Sequence, residues 1–265
     1  MLLLNGWKLE TGKFPNGESW INVRDQVELK DYNLVRMIFE GNDDLINLMF
    51  LKRWLDEEGK KARLSAEYFP YSRMDRRNHH YAFSLKYVTE FINGLGFYSV
   101  TVSEPHSDVT PALLNNCRIR NFVEDNLPMV LKSVGFSEQT DLLFFPDAGA
   151  VKRYGTRLEL PYCYANKERD FKTGEIIKYE IVTSRNKAGK VLIVDDLCSR
   201  GGTFLQAGNE IRRQLGRPEV FLLVAHCENN VFNGELLNDE SPISAIFCSD
   251  SLLRCSSHPK IHMLY

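Results

Sequence analysis

The stretch with the clearest chemical potential is "VLIVDDLCSRGGTF", residues 191–204. An apolar run stops at two adjacent carboxylates, Asp195 and Asp196, and a small polar turn then leads into a segment of helical pattern. Gly201 and Gly202 let the backbone come close to a ligand, and the amides that open a helix at Thr203 favour a phosphate. Ionised carboxylates accept hydrogen bonds from hydroxyls but repel phosphate. A sugar phosphate satisfies both halves. Its phosphate sits in the amide nest of Ser199 to Thr203, with the Thr203 hydroxyl, and its ring hydroxyls meet Asp195 and Asp196. The competing reading is a structural turn with solvated acids, and four apolar residues followed by DD and GGT weigh against it.

Such a loop must be carried by a strand end that feeds a helix, which is where parallel α/β sheets bind ligands. The chain has the matching rhythm. Strand-length apolar runs are "LVRMIF" (34–39), "ARLSAEYF" (62–69), "YSVTVS" (98–103), "DLLFF" (141–145), "VLIV" (191–194) and "EVFLLVAHC" (219–227). Between them, helical spacing runs over 43–59, with Asp44 as expected cap, over 82–96, through "FVEDNLPMVLKSVG", and over 203–216. Strand and helix in alternation predict parallel sheets flanked by helices. Two rounds of the pattern predict two similar α/β domains, 1–128 and 129–265, with the active site between them.

Composition narrows the class. With 265 residues and 43% hydrophobic content the chain can bury a substantial core, and a formal net charge of -2 without charge blocks gives no reason to expect nucleic-acid or membrane-surface binding. The opening "MLLLNGWKLE" has neither the cationic lead nor the apolar length of a signal peptide, and no run approaches the roughly 20 apolar residues of a membrane span. The six cysteines show neither a CxxC pair nor zinc-like spacing, so they read as reduced thiols of a cytoplasmic protein.

The acceptor stretch resembles the ribose-phosphate loop of the type I phosphoribosyltransferase fold. Together with "FPNGE" (14–18), "YFPYSRMDRR" (68–77), "SEPHSDV" (103–109), "FPDAGAVKRY" (145–154) and "NKER" (166–169), it resembles the ribose-phosphate diphosphokinase family over nearly the whole chain. The resemblance implies a transfer of the β,γ-diphosphate of Mg-ATP onto the anomeric hydroxyl of ribose 5-phosphate, releasing AMP. Chemistry of this kind asks for positioning and positive charge rather than covalent catalysis.

The resemblance also implies roles. Lys167 and Arg169 are the catalytic cations, in a polar run suited to a mobile lid. Phe14, Asn16, Glu18, Arg73, Asp75 and His106 bind ATP. Asp195, Asp196, Cys198, Ser199, Arg200, Gly201, Gly202 and Thr203 bind the acceptor. His106 and Asp147 hold Mg2+, and mixed His/Asp/water coordination suits magnesium carried mainly by substrate phosphates. His79 and His80 are weaker candidates for nucleotide contact, and Arg76 and Arg77 read as a solvated face. The "FPNGE" hairpin serves a neighbouring subunit in the family, which implies a homo-oligomer, dimer or hexamer.

Departures from the family pattern add an alternative. Met74 stands where a glutamine is usual, and Ser199-Arg200 where Asp-Thr is usual. The added cation could reach a second phosphate, so ADP-ribose is the alternative acceptor, in a reaction of NAD salvage. The usual closing segment is missing, which argues against allosteric control by nucleoside diphosphates. A phosphoribosyltransferase that consumes PRPP would have no need of the ATP-side motifs. A non-catalytic regulatory subunit would have no need of Lys167, Arg169, His106 and Asp147.

Overall fold

A computed structural model describes the chain except residues 24–26, 78–79, 170–175, 255–256 and 265, and leaves aside the side chains of 167–169 and 176–178. Residues 1–121 and 122–265 form two compact units. The division falls earlier than 128 and keeps a helix that begins at Phe122 whole.

The first unit begins with β1 (Leu2–Leu4), β2 (Trp7–Lys8), β3 (Glu10–Lys13) and β4 (Ser19–Asn22). It continues with β5 (Tyr32–Met37), α1 (Asp43–Glu57), β6 (Lys61–Ala66), α2 (Ser84–Gly94), β7 (Ser99–Ser103), α3 (Val109–Leu113) and β8 (Cys117–Arg120). Strands β5 to β8 pair in parallel, β1 and β2 are added antiparallel to complete a six-stranded sheet, and β3–β4 form a separate antiparallel hairpin. In β5 and β6 residues alternate strictly. Val35, Met37, Leu64 and Ala66 join Leu48, Leu51, Leu55 and Ile92 in one core, while Leu34 and Arg63 point to solvent. In α2, Leu85, Thr89 and Ile92 recur at helical spacing and make its buried face. The expected cap of α1 is corrected. Asn42 occupies that position, and Asp44 turns back so that its carboxylate accepts from the amides of Glu40 (2.7 Å) and Gly41 (3.3 Å) and from the Met1 ammonium (2.5 Å).

The second unit contains α4 (Phe122–Val134), β9 (Leu142–Phe145), α5 (Ala148–Tyr154), β10 (Tyr162–Arg169), β11 (Ile176–Val182), β12 (Lys190–Cys198), α6 (Gly202–Gln214), β13 (Glu219–Cys227), β14 (Ile243–Ser249) and β15 (Ile261–Leu264). They build a seven-stranded sheet in the order β11-β10-β9-β12-β13-β14-β15, parallel apart from the β10–β11 pair. Both faces are covered. Leu142, Phe144, Val191, Ile193, Leu222 and Val224 pack with Phe204, Ala207 and Ile211 of α6. Leu143, Phe145, Leu192, Val194 and Leu223 pack on the other side, with Leu127 of α4 and Tyr154 of α5. Burial of both faces is why "VLIV" and "FLLV" are unbroken apolar runs. Gly208 lets α6 lie close to the sheet, since a Cβ there would come within 2.7 Å of Pro242 Cγ. Among the described residues, no helix is long and apolar enough to cross a membrane.

Candidate active site

The strand order of the second unit fixes where a ligand can sit. From β9 the chain passes through α5 to β10 on one side, and from β12 through α6 to β13 on the other. The order therefore reverses between β9 and β12, and α5 and α6 pack on opposite faces of the sheet. Open α/β sheets bind ligands outside the carboxyl ends of the strands at such a switch point. Register puts Asp147 and Asp196 at matching heights there, three residues beyond the Phe144–Ile193 pair.

Strand β12 runs further than the apolar run, through both aspartates to Cys198. The side chain of Asp196 is nearly buried and that of Asp195 mostly so. Asp195 Oδ1 accepts the amide of Asp196 at 2.9 Å. Burial, together with the charge of Asp196, pushes the Asp195 carboxyl well above the usual carboxylate range. Beyond the strand, Gly201 takes the left-handed backbone, φ 83°, as N-cap of α6, and its carbonyl accepts the amides of Phe204 (3.0 Å) and Leu205 (2.9 Å). A Cβ on Gly201 would press to 2.6 Å from Leu236 Cδ2, so both conformation and space require glycine. The helix thus opens at Gly202, one residue before the expected Thr203. Gly202 and Thr203 are exposed, and no cap side chain bonds the end of α6. Donors so placed suit an anion.

Across the switch point, Asp147 is exposed and caps α5, its Oδ1 accepting the Ala150 amide at 2.9 Å. The last turn of α5 carries Arg153, whose Nη1 reaches Asp196 Oδ1 at 2.8 Å and Asp195 Oδ1 at 3.7 Å. The guanidinium is also 5.5 Å from the Tyr154 ring centroid. Burial disfavours its charge, but Asp196 outweighs that and holds the Arg153 pKa above its ordinary value. Arg153 lies inside the motif "FPDAGAVKRY" but had no role assigned from sequence. A lone cation in a helical segment gives no signal until the fold brings it against the two acids.

Lys167 and Arg169 were read into an exposed polar loop. Their backbone instead belongs to β10, paired antiparallel with β11 at Tyr179 and Ile176. The flanking strand pair β10–β11 replaces the loop as far as Arg169; the side chains of both cations lie outside the described residues. Because β10 runs parallel to β9, with Tyr164 opposite Phe145, Lys167 lies beyond the same strand ends as Asp147.

In the first unit, Asp75 is buried, with its Oδ1 3.0 Å from Arg76 Nε. Burial pushes its carboxyl up, but the nearby Ser107 hydroxyl, the hydrogen bond from Arg76 and the charges of Arg76 and His106 hold it below the usual range. His106 is half-buried just beyond β7, so Asp75, Ser107 and His106 converge. Arg76, read as solvated, is largely exposed but bonds Asp75. Arg73 is exposed. His80 lines a cavity of about 530 Å³ with Arg77, Lys86 and Tyr87, and His79 lies outside the described residues. Phe14, Asn16 and Glu18 form the exposed tip of the β3–β4 hairpin. The tip is closed by the Phe14 amide on the Glu18 carbonyl (2.8 Å) and the Glu18 amide on Asn16 Oδ1 (3.2 Å), with Gly17 at φ 91°. Phe14 is 54% exposed, a large apolar side chain without cover.

Among the described residues, no group of three or more His, Cys, Asp or Glu side chains gathers as a metal cage. His106 belongs to the first unit and Asp147 to the second. A single exposed carboxylate such as that of Asp147 is the kind of hard oxygen donor that suits Mg2+, which takes one or two protein carboxylates and keeps water and phosphate oxygens for the rest.

No family model matches the chain. Curated relatives do. It is 31% identical over 232 residues to the ribose-phosphate pyrophosphokinase of Pyrococcus abyssi, covering 82% of this chain and 75% of that protein. To the enzyme of the same name from Sulfurisphaera tokodaii it is 30% identical over 206 residues, covering 76% and 70%. A crystal structure of phosphoribosylpyrophosphate synthetase from Mycobacterium smegmatis superposes with a TM-score of 0.77 at 16% identity, over 97% of this chain and 85% of that one, and so shares the fold. The chain is an enzyme, and it belongs to the ribose-phosphate pyrophosphokinase family.

Proposed function

We propose that the enzyme transfers the β,γ-diphosphate of Mg-ATP to the anomeric hydroxyl of ribose 5-phosphate, giving PRPP and AMP. The observation that carries this reading is the pairing of Asp195 and Asp196 with the uncapped start of α6 on one strand end. The acids take the ribose hydroxyls, and the amides of Ser199 to Thr203 take the 5-phosphate. Arg153 orients the Asp196 carboxylate through their ion pair, so that it accepts hydrogen bonds without rearrangement.

ATP is assigned to the motifs of the first unit, with Arg73 on phosphates and Phe14, Asn16 and Glu18 on the adenine of a neighbouring subunit's nucleotide. His106 and Asp147 are the residues that would hold Mg2+, which would supply charge neutralisation on the transferring phosphates. Lys167 and Arg169 meet the charge that develops on the transferred group. The exposed Phe14 tip supports a homo-oligomer. ADP-ribose as acceptor rests on Arg200 alone, which is exposed, and ribose 5-phosphate is the reading preferred. Incubation with Mg-ATP and either acceptor, scoring AMP release and product mass, tests the assignment.

A further inference from the structure

Strands β12 and β13 end together, since Cys198 and Cys227 are register partners. The next residue on each side leaves the sheet as a pair. The Glu228 amide donates to the Cys198 carbonyl at 2.8 Å, and the Ser199 hydroxyl donates to Glu228 Oε2 at 2.5 Å. Asn230 Nδ2 donates to the same oxygen at 3.1 Å. The segment beyond Glu228 also seats the rest of the loop. Leu236 lies against Gly201, and a Cβ on Gly234 would come within 2.1 Å of the Arg200 carbonyl oxygen.

Ser199 is thus bonded by the residue that follows β13, and Arg200 and Gly201 lie close against the segment beyond it. We infer that Glu228 is a positioning residue for the acceptor phosphate, fixing Ser199 so that the amides of 200–203 point at the anion before it arrives. The inference rests on the acceptor reading of residues 195–203. Two consequences follow from the bonding. The Ser199 hydroxyl is turned onto a carboxylate, so the phosphate is bound by backbone amides and Thr203 rather than by the Ser199 hydroxyl. Preorganised donors bind an anion without paying for ordering at the moment of binding, so the effect falls on acceptor affinity. ATP contacts and the chemical step are left alone.

The test is steady-state kinetics of Glu228→Ala, Glu228→Gln, Ser199→Ala and the double Ala variant, with melting temperatures recorded alongside. Loss of a charge-assisted hydrogen bond predicts that Glu228→Ala raises KM for ribose 5-phosphate about tenfold, with kcat and KM for ATP within about twofold. Glu228→Gln keeps an accepting oxygen and should stay within about threefold of wild type. Ser199→Ala breaks the same bond from the loop side, so it should match Glu228→Ala, and the double variant should lose no more than either single. An unchanged acceptor KM in a Glu228→Ala protein with wild-type melting overturns the assignment. If Glu228→Ala does not fold, an unchanged acceptor KM in Ser199→Ala does the same. Wild-type enzyme that never saturates with ribose 5-phosphate overturns the acceptor reading itself, and the assignment with it.

Discussion

Arg153 Nη1 stands 2.8 Å from Asp196 Oδ1, joining the last turn of α5 to the end of β12 across the switch point of the second unit. Side-chain exposures of 18% and 7% make this a largely buried ion pair. Breaking such a pair from one side leaves a charge without compensation, at a cost of about 3–5 kcal/mol. Arg153→Ala should therefore lower the melting temperature by several degrees and raise KM for ribose 5-phosphate more than KM for ATP. Calorimetry with kinetics on both substrates checks it; an unchanged melting temperature would show that the pair holds nothing.

Asp195 makes the opposite prediction. Its pKa is raised in the folded protein by burial and by Asp196. The folded state then holds its proton longer than the unfolded chain, so stability falls as pH rises from the ordinary carboxylate value of about 3.9 through the raised one. Asp195→Asn removes that loss. The variant should melt higher than wild type at neutral pH without ligand, yet bind ribose 5-phosphate more weakly because one hydroxyl acceptor is less basic. A stability curve against pH with no difference between the two proteins contradicts the account.

Lys167→Ala and Arg169→Ala should each lower turnover by on the order of 10²–10³ while leaving the fold intact, the usual consequence of losing one preorganised charge. Circular dichroism establishes folding, and AMP release gives the rate. Normal turnover in well-folded Lys167→Ala protein removes the cation from the mechanism.

The hairpin tip predicts assembly. Phe14 is exposed in the single chain, so Phe14→Ala should weaken ATP use without lowering the melting temperature of the protomer. Sedimentation should find the active species to be at least a dimer, and a strictly monomeric protein with full activity refutes the shared pocket.

Legibility in the sequence followed burial. "EVFLLVAHC" gave the bounds of β13 without error because the strand is buried on both faces and its apolar run is unbroken. Strand β10 was hidden, since "NKER" is polar throughout and shows no apolar alternation, although its antiparallel partner β11 follows next in the chain. Backbone pairing can hold a polar run as a strand, and propensity and apolar pattern then give no sign of it. The acceptor loop was readable because acids, glycines and threonine are contiguous. Arg153 and Glu228 were not readable. One reaches the loop from the end of α5 and the other from the end of β13, and only strand order brings either to Asp196 or Ser199.

The most direct test of the central claim is the mass of the product formed from Mg-ATP and ribose 5-phosphate. The account predicts AMP and a ribose 5-phosphate that has gained one diphosphate, in equal amounts, with the yield lost in Asp196→Asn at acceptor concentrations near KM. AMP release with ADP-ribose as the only acceptor modified, or no diphosphate transfer to ribose 5-phosphate at any concentration, would contradict it.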